Sequence, residues 1–188
     1  MKAKVVHLGK IESEGRIIKM TDYGYGELAT KPFKKGEVVL VSNFYAVPED
    51  VSYYTFETAE GIFMEDNHEL YVSQFGSRFR YNDQLVNHSC EPNMVSMGDT
   101  DFPTNPEIKE GTCTWVAIKD IKKGEQLTYD FDLHFWEISK YSFKCCCGSK
   151  NCRVYIQGFK FLPRDLQEKM ISFAKKNVKE MYLESIKS

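Results

Sequence analysis

Four of the six cysteines fall within eight residues, Cys145-Cys146-Cys147-Gly-Ser-Lys-Asn-Cys152, and this crowding is a strong chemical signal. Adjacent cysteines bond to each other poorly, because a disulfide requires a specific separation and orientation of its two Cβ atoms. Thiolates in the pattern C-x-C-x4-C can instead wrap one tetrahedral zinc ion, with Gly148 permitting the tight backbone turn. Three ligands leave one coordination position to fill. Spacing leaves the fourth open among Cys90, Cys113, Cys146 and the four histidines. Free thiols or a short redox pair are the competing reading. The compact spacing favours zinc.

A second polar cluster is Asn87-His-Ser-Cys-Glu-Pro-Asn93, which follows the apolar pair Leu85-Val86. His88 and Cys90 have the types of a base and a nucleophile. Two residues apart on a strand they would also point the same way without reacting. Local physics favours a buried turn whose Asn, His and Ser satisfy backbone groups.

These clusters need elements to position them. Arg16–Met20 and Glu27–Ala29 read as strands on either side of Asp22-Tyr-Gly-Tyr-Gly26. Lys34-Lys-Gly-Glu37 is a turn signal before the β-branched run Val38–Val41. The same phrase recurs as Lys122-Lys-Gly-Glu125 before Gln126–Tyr129, which predicts two similar corners. Residues 49–80 read as an irregular insert with short strands, and residues 98–111 as a polar, proline-bearing loop. That loop joins a strand near Asn93–Met97 to one at Thr112–Ile118, where Cys113, Trp115 and Ala117 alternate. From Pro163 onward, Leu166, Met170, Phe173, Ala174, Met181 and Tyr182 recur at helical spacing, predicting a helix docked on the core over 163–187.

The 188 residues suit one domain with a terminal extension, and 42% hydrophobic content supports a real core. A net charge of −2 argues against nucleic-acid binding as the main task, since phosphate neutralisation needs a basic excess. No apolar run approaches the ~20 residues of a membrane span. The N-terminus is too short and polar for a secretory signal, so a reducing compartment, cytoplasm or nucleus, is expected.

Taken together, the motifs resemble those of the SET-domain family of S-adenosylmethionine-dependent lysine methyltransferases. Asn87–Asn93 looks like the family signature, as does Gly124-Glu-Gln-Leu-Thr-Tyr-Asp-Phe131 downstream. Gly24-Tyr-Gly26 before Leu28-Ala29 resembles its N-terminal cofactor motif. Phe135-Trp-Glu-Ile138 followed by Phe143–Cys152 resembles the junction with a post-SET segment. The motifs run in family order over roughly residues 15–160.

The resemblance implies a mainly β fold with some α: a β-clip of small twisted sheets with a knot-like crossing, plus a C-terminal helix. It implies a SET domain over 15–133 and a zinc-binding post-SET segment over 141–160, before the helix. Gly24, Tyr25, Gly26, Asn87 and His88 would hold S-adenosylmethionine, and Tyr155 would cover its adenine. Cys90 would join Cys145, Cys147 and Cys152 on zinc, leaving Cys146 as an extra thiol. A lysine of a protein or peptide would be the substrate, with no membrane partner.

Two positions depart from the family pattern. The register puts Tyr129 where the number of added methyl groups is tuned, and Phe131 at the catalytic tyrosine. Phenylalanine keeps the packing but supplies no hydrogen bond. Gln84 stands where an arginine often precedes the Asn-His-Ser-Cys motif. Three readings follow: a lysine methyltransferase in which another hydroxyl such as Tyr129 substitutes, a non-catalytic recognition module that binds the cofactor, and a SET fold turned to a small molecule. Retention of the cofactor and zinc motifs favours the first.

Overall fold

The structure is a computed structural model that describes residues 12–13, 15–22, 24–47, 56–59, 62–66, 85–97, 110–138 and 142–187. Strands β1 (Glu12–Ser13), β2 (Arg16–Thr21) and β3 (Gly24–Ala29) form an antiparallel sheet in that order. Thr21 pairs with Gly24 at the β2–β3 hairpin, where Gly24 has a φ of +99° that an L side chain rarely adopts. Arg16 and Glu27 form an ion pair buried within this hairpin.

A larger antiparallel sheet has the order β5-β6-β4-β9-β8. It contains β4 (Val38–Val47), β5 (Phe56–Ala59), β6 (Ile62–Asp66), β8 (Met94–Met97) and β9 (Glu110–Ala117). Of the expected insert at 49–80, only β5 and β6 lie among the described residues; the loop 98–109 and Gln84 lie outside them. The pairing of β4 with β9 shifts register between Val38 and Leu40. That irregularity lets the neighbours Val39 and Leu40 both be buried while Val38 and Val41 face solvent. On β9, Cys113, Trp115 and Ala117 are buried on one face, as their alternation predicts.

The two Lys-Lys-Gly-Glu phrases do form matching corners. In each, the glutamate carboxylate accepts from the first lysine's N–H, and the glycine takes a positive φ, +91° at Gly36 and +88° at Gly124. The corners meet through Phe33 and Ile121, which exchange backbone hydrogen bonds at 2.9 and 2.8 Å.

Two short pairs complete the β structure. β7 (Asn87–His88) runs parallel to β10 (Thr128–Tyr129), and β11 (Phe143–Lys144) runs antiparallel to β12 (Tyr155–Ile156). Parallel pairing brings Asn87 opposite Thr128 and His88 opposite Tyr129. The two motif segments therefore lie side by side. This is a mainly β chain of small sheets with a helical C-terminus, as expected.

The C-terminal segment is not one continuous helix. It forms α1 (Arg164–Met170), a 3-10 turn (Ile171–Phe173) and α2 (Lys176–Ser185). Between them Ala174 and Lys175 are extended, with ψ of 154° and 157°. The break has a packing reason. Ala174 is buried, Lys175 N–H reaches Leu133 O at 2.9 Å, and Lys175 Nζ lies 3.4 Å from Cys113 Sγ. The segment docks through Leu162, Val178 and Tyr182 against Leu133 and Phe159, whereas Phe173 and Met181 are exposed.

Candidate active site and metal centre

Cys90, Cys145, Cys147 and Cys152 each present a sulfur, and all four Sγ atoms lie within 4.8 Å of one another. Cys90 reaches them from the segment after β7, 55 residues before Cys145. Cys146 is exposed and lies outside the set. Several donors face the sulfurs. Arg153 N–H donates to Cys90 Sγ at 3.3 Å, Cys147 N–H points at Cys145 Sγ at 3.4 Å, and Ser149 Oγ lies 3.0 Å from Cys147 Sγ.

Burial pushes the Cys90 thiol up to about 11 and the Cys145 thiol higher still. Burial would raise Cys147 too, but hydrogen bonds from its Cys90 and Ser149 neighbours bring it down to about 6. A divalent cation would stabilise the buried Cys90 and Cys145 as thiolates against the cost of burial. Four sulfurs and converging N–H groups fit a closed structural zinc site in number and chemistry.

Beside this set, Phe131 opens a 3-10 turn (Phe131–Leu133) capped by Asp130, whose Oδ1 accepts from Asp132 N–H at 3.1 Å. The Phe131 ring centroid lies 4.6 Å from Tyr129, 5.4 Å from His88 and 5.7 Å from Phe143. Tyr129 also packs on Trp115 at 4.6 Å and His134 at 4.8 Å. Asn93 braces the segment that leads into Tyr129. Its Nδ2 donates to Gln126 O at 2.8 Å and its Oδ1 accepts from Thr128 N–H at 2.9 Å. One asparagine thus supplies both groups that a neighbouring strand edge requires.

A family model for the SET domain matches residues 24–132, more than half of the chain. The chain belongs to the SET-domain family. Among its relatives is Histone-lysine N-methyltransferase EHMT1 of Mus musculus, 27% identical over 145 residues, covering 73% of this chain and 10% of that protein. Another is Histone-lysine N-methyltransferase 2D of Homo sapiens, 31% identical over 140 residues, covering 71% of this chain and 2% of that protein. This SET-domain chain therefore spans a tenth or less of the length of these two curated relatives. A solved structure of KRYPTONITE in complex with mCHG DNA and SAH is similar with a TM-score of 0.47 and 23% identity. That likeness covers 71% of this chain and 27% of the KRYPTONITE chain.

Within this SET domain, the residues expected to hold a cofactor divide into three groups. Tyr25 and Gly26 meet Asn87, whose Nδ2 donates to Tyr25 O at 3.2 Å, while Gly24 lies at the hairpin turn. A Cβ on Gly26 would lie 2.6 Å from Gln126 Nε2 and 2.7 Å from Asn87 Nδ2, so glycine keeps both amides against the hairpin. Gln126 Nε2 is buried and has no hydrogen-bond partner among the described residues. An orphaned donor beside a glycine cradle suits a polar ligand with an acceptor there.

His88 is differently engaged. Phe131 N–H donates to its Nδ1 at 3.2 Å, which leaves the ring proton on Nε2, 3.3 Å from Cys90 Sγ. Burial, followed by the nearby Arg153 guanidinium, lowers the imidazole to about 3, so the ring is neutral and donates to sulfur. Its side chain therefore serves the cysteine set and the Phe131 turn. Tyr155 stands on β12 and is 59% exposed, outside the core.

Sequence reasoning missed Arg153, Asp130, Asp132, His134 and Gln126. The available signal for the first three was adjacency: Arg153 follows Cys152, and the two aspartates flank Phe131. His134 carried no such signal. It stacks on Trp115 with an interplanar angle of 5° and lies 3.3 Å from Ser96 Oγ, contacts that only folding creates.

Proposed function

We propose that this SET domain is an S-adenosylmethionine-dependent methyltransferase acting on a lysine side chain of a protein, with a structural zinc on Cys90, Cys145, Cys147 and Cys152. One observation carries the reading: the parallel β7–β10 crossing assembles Tyr129, Phe131, His88 and Phe143 into an aromatic cluster next to the Gly24–Gly26 hairpin. The relatives named as histone-lysine methyltransferases favour a protein lysine over a small molecule. No helix among the described residues is long and apolar enough to cross a membrane. Zinc-bound thiolates suit a reducing compartment, nuclear or cytoplasmic.

When bound, S-adenosylmethionine supplies a methyl group on a sulfonium for in-line displacement. The chain's own task is to hold a neutral amine in line with it. Aromatic walls at Tyr129, Phe131 and Phe143 desolvate a lysine and lower its pKa, which favours the neutral, nucleophilic form. The lysine ammonium gives its proton to solvent before transfer, and the hydroxyl of Tyr129 is the polar group of the pair that can hydrogen-bond the amine. Phe131 contributes shape alone. Gln126, Asn87 and the backbone of Gly24–Gly26 would hold the cofactor, and Tyr155 would cover its adenine.

The test joins calorimetric titration of S-adenosylmethionine with mass-spectrometric detection of methylated lysine peptides, on wild type and Phe131→Tyr. Binding to both, with methyl transfer roughly 100-fold or more faster in Phe131→Tyr, is the expected outcome, a typical effect of one preorganised polar group. Binding without transfer in either form would make the domain a recognition module. Absence of binding would overturn the reading altogether.

A further inference from the structure

Arg153 is the point where the cysteine set touches the segment that carries Phe131. Its backbone N–H donates to Cys90 Sγ at 3.3 Å. Its Nη2 lies 2.5 Å from Asp130 Oδ1 and 2.9 Å from Asp132 Oδ2. Asp130 caps the turn that Phe131 begins, and Asp132 accepts Gly158 N–H at 2.8 Å. One side chain thus bridges both neighbours of Phe131.

Two costs gather at this point. Both aspartates of the ion triad are buried and Arg153 is largely so, and Asp130 Oδ2 and Arg153 Nε are buried without a hydrogen-bond partner among the described residues. Buried ion pairs of this kind are often no better for stability than apolar packing. The next residue, Val154, has a φ of +69°, a left-handed conformation that is a genuine outlier for a β-branched side chain. Cys145 N–H bonds Val154 O at 2.7 Å and Tyr155 N–H bonds Arg153 O at 2.8 Å, which fixes the kink. Strain at Val154 beside incomplete pairing at Arg153 and Asp130 marks a geometry held for a purpose other than stability.

We propose that Arg153 is a positioning residue that couples occupancy of the four-cysteine set to the placement of Phe131. The coupling rests on the zinc and methyltransferase readings above. Its physical basis is rigidity. Arg153 follows Cys152 directly, so a metal that draws Cys90 and Cys152 together also fixes where the guanidinium stands. The two aspartates follow the guanidinium, and the Phe131 turn follows its cap. When the cysteines separate, the clamp loosens and Phe131 is released from its register.

The test uses the full chain with 4-fluorophenylalanine placed at position 131, where ring currents from Tyr129, His88 and Phe143 make the 19F resonance sensitive to position. Wild type, Arg153→Gln and Arg153→Lys are compared, each checked for zinc stoichiometry and folded far-UV dichroism. The expected result is that removing zinc from wild type shifts or broadens the resonance. Zinc-loaded Arg153→Gln should already show that altered signal. Arg153→Lys keeps a cation on a shorter side chain that ends short of where Nη2 meets both aspartates, so it should show the same change and serves if the glutamine variant does not fold.

A second measurement follows zinc transfer to a chelator. Asp132→Asn, which touches none of the four cysteines, should speed release about tenfold, the lower range for a group that orients metal ligands. That effect should vanish in the Arg153→Gln background. A wild-type 19F signal in a folded, zinc-loaded Arg153 variant overturns the proposal, as does an Asp132→Asn effect that persists without Arg153. Failure of wild type to bind zinc overturns it as well. An Arg153-dependent 19F response with no methyl transfer by any variant supports the coupling and removes only the methyltransferase reading.

Discussion

The backbone N–H of Phe131 donates to Nδ1 of His88 across 3.2 Å. The same ring turns its Nε2 to Cys90 Sγ at 3.3 Å, so one neutral imidazole joins the aromatic turn to the metal set. With zinc on the cysteines as proposed, His88→Ala removes a donor to a ligand thiolate, and such outer partners are typically worth about 10–100-fold in metal affinity. Competition with a zinc chelator should show a loss in that range while zinc stoichiometry at saturating metal stays at one. An unchanged affinity would place the His88 ring elsewhere.

The cysteine set predicts a sharp contrast between neighbours. Cys147→Ser should abolish tight zinc binding and lower the thermal midpoint, because a buried three-thiolate remnant loses its closed coordination. Cys146→Ser should leave both unchanged, since Cys146 is exposed and lies outside the set. Metal analysis and thermal unfolding of the two single variants, side by side, decide the matter.

Tyr129 is the hydroxyl-bearing member of the pair at the proposed reaction centre. Tyr129→Phe keeps the ring packed between Trp115 and Phe131 and removes only the hydroxyl. The expected result is a fall of roughly 100-fold in kcat, typical of one lost polar group at a transition state, with KM for the cofactor unchanged. A fall confined to KM would assign the hydroxyl to binding.

Asp130 makes stability depend on pH. Burial raises its carboxyl to about 6, against the opposing pull of Arg153. In the unfolded chain the same group ionises near about 4. Between these values the native state holds a proton that the unfolded state has released, so this contribution is full at low pH, falls as pH rises toward 6, and is flat above. Two pH units correspond to on the order of 3 kcal/mol. Asp130→Asn does not titrate, so urea unfolding of both proteins should show wild type losing ground to the variant across this window. A pH-independent difference would mean that Asp130 is ionised throughout in the native state. Contributions common to both chains, including those of the cysteines, cancel in the comparison.

Sequence alone was sufficient for what depends on residue type and short spacing. Cys145, Cys147 and Cys152 carry ligand chemistry in their own spacing, and the paired Lys-Lys-Gly-Glu phrases encode matching corners because a glycine and a glutamate close the same turn wherever they occur. The alternation of Cys113, Trp115 and Ala117 announced a buried strand face. The proposed place of Phe131 at a reaction centre rests on the resemblance of the motifs.

Spacing left the fourth cysteine open and the family resemblance implied Cys90; the fold brings it to the other three, because contact between residues 55 positions apart depends on the path of the chain between them. Only the tertiary structure divided the C-terminal helix at Ala174–Lys175, where core contacts outweigh helical periodicity. It also turned the His88 ring toward Cys90 and set Arg153 between the cysteines and Phe131. Hydrogen bonds and ion pairs have direction, and direction is decided by how segments are packed, not by their order along the chain.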